Sequence, residues 1–213
     1  MYSMSFKDED QLAISLLLSY LGQYHTLSES LASEYRKHCT VSKIKKNKFI
    51  LSPIDNNKFL YYIVSGTARG FIRDRGKDIT TWFAFKNQII GTIRHPEGKE
   101  IYEQEYLHAL ENCVLVCIPH AFIERICDHY PEVNIIGRKV MELQYFEASK
   151  RSILARITKA SDRYKQLLQD NEINLAQIPL RYISSYLSIR VETLSRIRKK
   201  EIYSSLKLID NVA

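Results

Sequence analysis

Apolar residues recur at helical spacing at the start of the chain, at strand spacing through its middle, and at helical spacing again toward its end. Between Asp8 and Tyr24, Leu12, Leu16, Leu17, Tyr20 and Leu21 fall on one broad stripe, which predicts an amphipathic helix. Thr26, followed three positions later by Glu29, reads as a capping box that starts a second, short helix carrying Leu27, Leu31 and Tyr35. From Val41 the period shortens. Runs rich in Ile, Val, Tyr, Phe and Thr at 41–45, 49–52, 60–64, 68–73, 79–85, 105–109 and 114–118 are separated by turn residues such as Asn47, Pro53, Ser65-Gly66, Arg75-Gly76 and Asn112. Strands spaced in this way, with no helices between them, predict an antiparallel sandwich or roll and not a parallel βαβ sheet.

Pro119 then opens a helix that ends near Tyr130, and Pro131, at a first-turn position, starts a much longer one. Val133, Ile136, Val140, Leu143, Leu154 and Ile157 keep a 3-4 spacing, with Glu147 and Lys150 in the two intervening core positions. A helix of about 25 residues is longer than one small domain needs, at a rise of about 1.5 Å per residue. It reads as a dimer seam with Val133, Ile136, Val140, Leu143 and Leu154 as its interface; the alternative is a helix packed only on its own roll. Asn171 and Asn174 mark a break before the last helical segment. The expectation is an α+β chain: helices and a roll over 1–130, a dimerisation helix over 131–157, and a DNA-binding unit over 158–213.

That last assignment comes from 178–200. Pro179 suits a helix start, Ile183 and Leu187 make its inner face, and Ser188-Ile189-Arg190 is a short turn. Leu194 and Ile197 anchor a second helix from beneath, leaving Val191, Glu192, Ser195 and Arg196 on its outer N-terminal face, as in a helix-turn-helix. Arg196 has the fork for guanine O6 and N7, Glu192 an acceptor for cytosine N4, and Val191 a methyl contact for thymine, while Ser195 discriminates less. Arg181, Arg190, Arg198, Lys199 and Lys200 have the charge and reach for phosphates.

Charge supports this placement. The net charge is +7, and from Arg151 onward 12 Lys and Arg stand against 6 Asp and Glu, whereas the first 150 residues are nearly balanced. Apolar residues make up 45% of the chain and charged residues 26%, enough to bury a core. No window approaches a membrane span, and 1–7 lacks the features of a secretory signal, so a cytoplasmic location is expected, with no membrane partner. Cys39, Cys113, Cys117 and Cys127 lack CxxC spacing and read as reduced, mostly buried thiols. No His-x-His occurs, which argues against a metal-dependent enzyme on a cupin-like roll, and the chain after the roll is too short for the two motifs of an AraC-type regulator. We therefore expect neither enzymatic activity nor a metal.

The run Val191-Glu192-Thr193-Leu194-Ser195-Arg196 resembles the recognition helix of the Crp/Fnr regulators, in a form closer to the fumarate and nitrate reduction branch than to the cyclic-AMP receptor branch. The runs 60–70 and 76–85 are similar to that family's paired roll strands. The resemblance implies a cyclic-nucleotide-binding-type β-roll, a long dimerisation helix, a hinge near Thr158, and a winged helix that reads an inverted-repeat, TTGAT-like operator in double-stranded DNA as a homodimer. It also implies RNA polymerase as a candidate further partner. One departure concerns the wing: thirteen residues after Lys200 leave it shortened or absent, which supports the alternative of a ligand-binding or interaction module whose helix-turn-helix no longer binds DNA.

A second departure concerns the effector. Family members that bind cyclic AMP hold the ribose with a Phe-Gly-Glu run and the phosphate with an Arg-Ser-Ala run, and a buried phosphate needs such a charge partner. Here the corresponding stretches are 89–93 and 104–109, with Thr92 in place of the glutamate, no arginine, and an acidic Glu105. Tight cyclic-AMP binding is not expected and no cofactor is assigned. The effector pocket, if one is used, is expected around Ile90, Gly91, Thr92, Tyr106 and His108. An iron-sulfur sensor would need a cysteine cluster ahead of the roll, where only Cys39 stands; Cys113 and Cys117 share a strand face as core residues. His95 and His108 near the pocket leave haem open.

Overall fold

The computed structural model describes residues 6–55, 57–91, 105–170 and 175–210, with side chains from 8 to 201. Among the described residues two helices, α1 (Phe6–Gly22) and α2 (Glu29–His38), lead into eight strands: β1 (Thr40–Ile44), β2 (Phe49–Leu51), β3 (Phe59–Ser65), β4 (Ala68–Asp74), β5 (Lys77–Ala84), β6 (Ile89–Ile90), β7 (Glu105–Ala109) and β8 (Cys113–Pro119). Helices α3 (His120–His129), α4 (Pro131–Arg156), α5 (Ala160–Leu168), α6 (Leu180–Tyr186) and α7 (Val191–Asp210) complete the α+β fold.

The strands form two four-stranded antiparallel sheets, ordered β1-β8-β3-β6 and β2-β7-β4-β5. Alternation sorts each strand between layers. On β3, Tyr61 and Ile63 enter the core between the sheets with Leu107, Ala109 and Leu115, while Tyr62 and its neighbours Leu60 and Val64 face the helices. Those helices, α1, α2, α3 and the first half of α4, cover the outer face of the first sheet through Leu17, Leu31, Phe122, Ile126, Val133 and Ile136. Burial on both faces is why β3 reads as an unbroken apolar run. The β4–β5 hairpin closes through Arg75 (φ 49°) and Gly76 (φ 77°) between the paired residues Asp74 and Lys77, the two-residue turn whose twist matches its strands.

Gly70 on β4 faces Trp82 on β5, and a β-carbon there would lie inside the contact radius of the indole. Gly70→Ala is therefore expected to cost about 1–3 kcal/mol in a urea melt, the usual penalty for overpacking, and most of that cost should vanish in a Trp82→Leu background.

Helix α2 starts two residues later than a Thr26–Glu29 box would require. Its N-cap is Ser28, extended at ψ 150°, whose hydroxyl accepts the Leu31 N–H at 3.3 Å and donates to Glu132 Oε1 at 2.7 Å. The expected Thr26 cap is thus corrected to Ser28, whose hydroxyl is fixed by its contact with Glu132 on α4.

Helix α4 corrects the expected seam. Val133 and Ile136 are buried in the cluster under the roll, Val140 packs against them, and Leu154 is buried among α5, α6 and α7. Of the expected interface only Leu143 is exposed. The outward apolar residues are Ile135, Leu143, Phe146 and Ile153 along one side, with Met141 and Tyr145 beside them. A 3-4 spacing identifies an apolar stripe without saying what covers it, and here the helix carries two.

Candidate nucleic-acid interface

The chain leaves α4 at Ile157 and turns into α5, and this corner is held by Arg163, whose Nη1 donates to the carbonyls of Ile157 (2.6 Å) and Thr158 (3.3 Å). These are carbonyls at the C-terminal end of α4, where a cation is favoured. A short 3-10 turn (Leu175–Gln177) leads to Pro179, the N-cap of α6.

Between α6 and α7 the turn is tight. Ser188 N–H donates to Ser185 O and Ile189 N–H to Ser184 O, both at 3.0 Å, and Ser188 takes a left-handed φ of 53°. Ile183, Leu187 and Leu194 are almost fully buried, and Ile189 and Ile197 pack against them. With Leu194 at 0% exposure, the residues at i−2, i+1 and i+2 must point away, while Val191, at i−3, lies toward the Leu194 side and is exposed because it sits in the first turn of the helix. Val191, Glu192, Ser195 and Arg196 are all exposed, and nothing among the described residues lies over them.

The cations divide into sets. Arg190, Lys199 and Lys200 are exposed beside the outer row of α7. Arg198, four residues after Leu194, is half-buried on the inward side. Arg181 is exposed but turned toward the roll, donating from Nη2 to the Tyr182 hydroxyl at 2.8 Å. Among the described residues no strand follows α6, because α7 runs unbroken to Asp210 where a wing would begin.

The outer face of the second sheet meets α6. Register pairs Arg69 with His108 and Phe71 with Tyr106, so all four project from the face opposite Leu107 and Ala109. Arg69, only 2% exposed, is held on every side. Its Nε donates to His108 Nδ1 (3.2 Å), Nη1 to Thr80 Oγ1 (3.1 Å) and Nη2 to Asp78 Oδ2 (3.0 Å). The guanidinium lies 3.7 Å from the Tyr182 ring centroid and 4.2 Å from that of Phe71. Ser185 ties the seam: its hydroxyl donates to Asp78 O (3.0 Å) and accepts from Thr80 N–H (2.9 Å). Burial, then the Arg69 charge, lower the His108 pKa below the usual histidine value.

This seam divides the expected effector pocket. Ile90 lies in the roll interior, and Gly91 follows it beside Leu60. Tyr106 and His108 lie on the opposite side of the sheet, beneath or beside α6, because they alternate with the inward Leu107. Thr92 and His95 fall outside the described residues, as do Asn171 and Asn174. Glu105, on the inward face, accepts a hydrogen bond from Thr81. Among the described residues no group of three or more His, Cys, Asp or Glu is placed to hold a metal, and no helix is long and apolar enough to cross a membrane. Cys113 and Cys117 are buried in the roll core, and burial pushes the Cys113 thiol up to about 11.

The sequence reading missed the Arg69 cluster. Its signal, arginines and aromatics alternating at 69, 71 and 73 and at 106 and 108, becomes legible only when the β4–β7 register is known.

No family sequence model matches the chain, and no curated protein matches it. Solved structures do. FixK2 from Bradyrhizobium japonicum superposes with a TM-score of 0.67 at 18% identity, covering 78% of this chain and 86% of its own. A candidate Crp/Fnr-family transcriptional regulator from Eubacterium rectale gives 0.65 at 16%, covering 87% and 88%. CLP of Xanthomonas campestris, a regulator responsive to c-di-GMP, gives 0.64 at 14%, covering 84% and 94%. The chain thus has the Crp/Fnr-type fold, a cyclic-nucleotide-binding-type roll joined by a long helix to a helix-turn-helix.

Proposed function

We propose that this protein is a transcription regulator, not an enzyme, that binds an inverted-repeat DNA site as a homodimer and inserts the N-terminal turns of α7 into the major groove. The observation that carries the reading is the outer row of α7. Val191, Glu192, Ser195 and Arg196 stand exposed on a helix fixed from below by Leu194, with Arg190, Lys199 and Lys200 alongside. In this role Arg196 reads a guanine, Glu192 a cytosine and Val191 a thymine methyl, and the flanking cations set affinity and salt dependence. The likeness to FixK2 and the Eubacterium rectale protein supports the same reading.

The outward side of α4 supports the dimer. Ile135, Leu143, Phe146 and Ile153 present apolar area along the helix, and a second copy seated there would place two α7 helices on one face of DNA. Cyclic AMP is not part of the proposal. Glu105 is an acidic group on the inner face of the roll, where a nucleotide phosphate would need a cation.

A gel-shift series on inverted-repeat duplexes with TTGAT-like half-sites tests the function. Arg196→Ala is expected to cost about 1–3 kcal/mol and relax preference at one base pair per half-site, whereas Lys199→Ala should weaken all sequences alike and lower the salt slope by about one. Equal binding of operator and random DNA by the unaltered protein would overturn the proposal.

A further inference from the structure

We propose that Arg69, His108 and Tyr182 form a clasp that holds α6 against the roll while His108 is neutral and lets go when His108 takes a proton. The clasp deepens the reading of α7 as a DNA reader, and its meaning for gene control rests on that reading; its existence does not.

The geometry assigns the roles. Nδ1 of His108 accepts from Arg69 Nε at 3.2 Å, so that nitrogen must carry a lone pair and the imidazole must be neutral. Protonation would turn this acceptor into a donor and set a second cation against a guanidinium that is 2% exposed. Arg69 is in turn what Tyr182 rests on, at 3.7 Å from centroid to guanidinium carbon, and the His108 ring itself meets the Tyr182 ring edge-on at 6.3 Å. Imidazole, guanidinium and phenol thus make one cluster across the seam, the first two joined by a hydrogen bond and the last two face to face. Its first two members belong to the roll and its third to α6.

The groups facing His108 from each packed element bear on the sign. From β4 comes the Arg69 charge and from α6 the Arg181 charge, both opposing protonation, and burial opposes it most. From β5 the Asp78 carboxylate favours protonation, and so does a hydrogen bond with the Asn47 backbone in the β1–β2 turn. From β2 the Phe49 ring, at 5.6 Å, contributes apolar cover. The balance lowers the pKa. Once α6 lifts away, His108 regains solvent and moves back toward the ordinary value of 6.5. The released state then binds protons more readily than the clasped one, so proton uptake drives release, and the effect grows as pH falls below about that value. Release swings α5–α7 about 157–159, where α4 has already ended.

The protein carries its own reporter. Trp82 is the only tryptophan in the chain, and it lines the cleft of about 440 Å³ between the roll and the helix-turn-helix unit, together with Phe83, Leu167 and Tyr186. Lowering the pH of the full-length protein from about 7.5 to about 5.5, across the range where histidines titrate, should shift Trp82 emission to the red as the cleft opens. The midpoint should coincide with that of the His108 ring followed by NMR. His108→Gln keeps a neutral acceptor and should abolish the transition, and Arg69→Met should show the low-pH emission at both ends. An emission that stays flat while His108 titrates, or a transition that persists in His108→Gln, overturns the clasp. Should His108→Gln fail to fold, the two midpoints of the unaltered protein still decide: coincidence supports the clasp and separation overturns it. No DNA enters the measurement, so failure of the clasp and failure of the DNA-binding reading remain distinguishable.

Discussion

A Phe146→Glu, Ile153→Glu double variant is expected to elute as a monomer and to lose the retardation of an inverted-repeat duplex that the proposed function expects of the unaltered chain. Phe146 and Ile153 are 59% and 58% exposed in the single chain, on the side of α4 that carries Leu143 and Ile135. Each such side chain contributes about 1.5–3 kcal/mol when removed from water, and a symmetric interface counts each one twice. Losing four of them, and placing carboxylates in the seam, is expected to weaken dimerisation by at least about a thousandfold, at 1.4 kcal/mol per tenfold. Analytical ultracentrifugation reads the first effect and a gel shift the second. Because the substituted positions face away from the core under the roll, the far-ultraviolet spectrum and melting of the single chain should change little. A dimer that survives both substitutions would show that another surface joins the copies.

Leu194→Ala is expected to leave that dimer intact and still abolish DNA binding. Leu194 is fully buried in a cluster with Ile183, Leu187, Tyr182, Ile178, Tyr164 and Leu167. Truncating a leucine in such a place costs about 2–5 kcal/mol, depending on how far the site collapses. The unit it belongs to is small, and two members of its core come from elsewhere: Leu154 from α4 and Leu110 from the turn after β7. A loss of that size should therefore uncouple melting into two steps, α5–α7 first and the roll later, whereas the unaltered protein is expected to melt with the two parts linked. Calorimetry reads this directly. A single transition at the original temperature would mean that the α6–α7 core contributes little to holding α7 in place.

The parts of this molecule legible from its sequence are those fixed by local period and turn chemistry. The run 60–64, the Arg75-Gly76 turn and Pro131 each specify one backbone solution, and each element lies within a residue or two of where the pattern puts it. The outer row of α7 belongs to the same class, because burial of Leu194 settles which way its neighbours point. The long-range choices were not legible. The apolar spacing of α4 fits a partner or the roll equally well, and the roll takes Val133, Ile136 and, with α5–α7, Leu154. His108 reads as a pocket residue until the pairing with Arg69 turns it to the other side of the sheet. Strand β6, two residues long, carries too little pattern to announce itself.

The unbroken course of α7 has a mechanical consequence. The backbone continues from Val191 as one stiff rod to Asp210, so the exposed N-terminal turns and the distal half move together. At about 1.5 Å per residue, the far end stands some 15 Å beyond Lys200. Under the proposed function, a protein that gripped that end would hold a lever arm, and a small sideways push there would become a rotation of Glu192 and Arg196 against the base pairs.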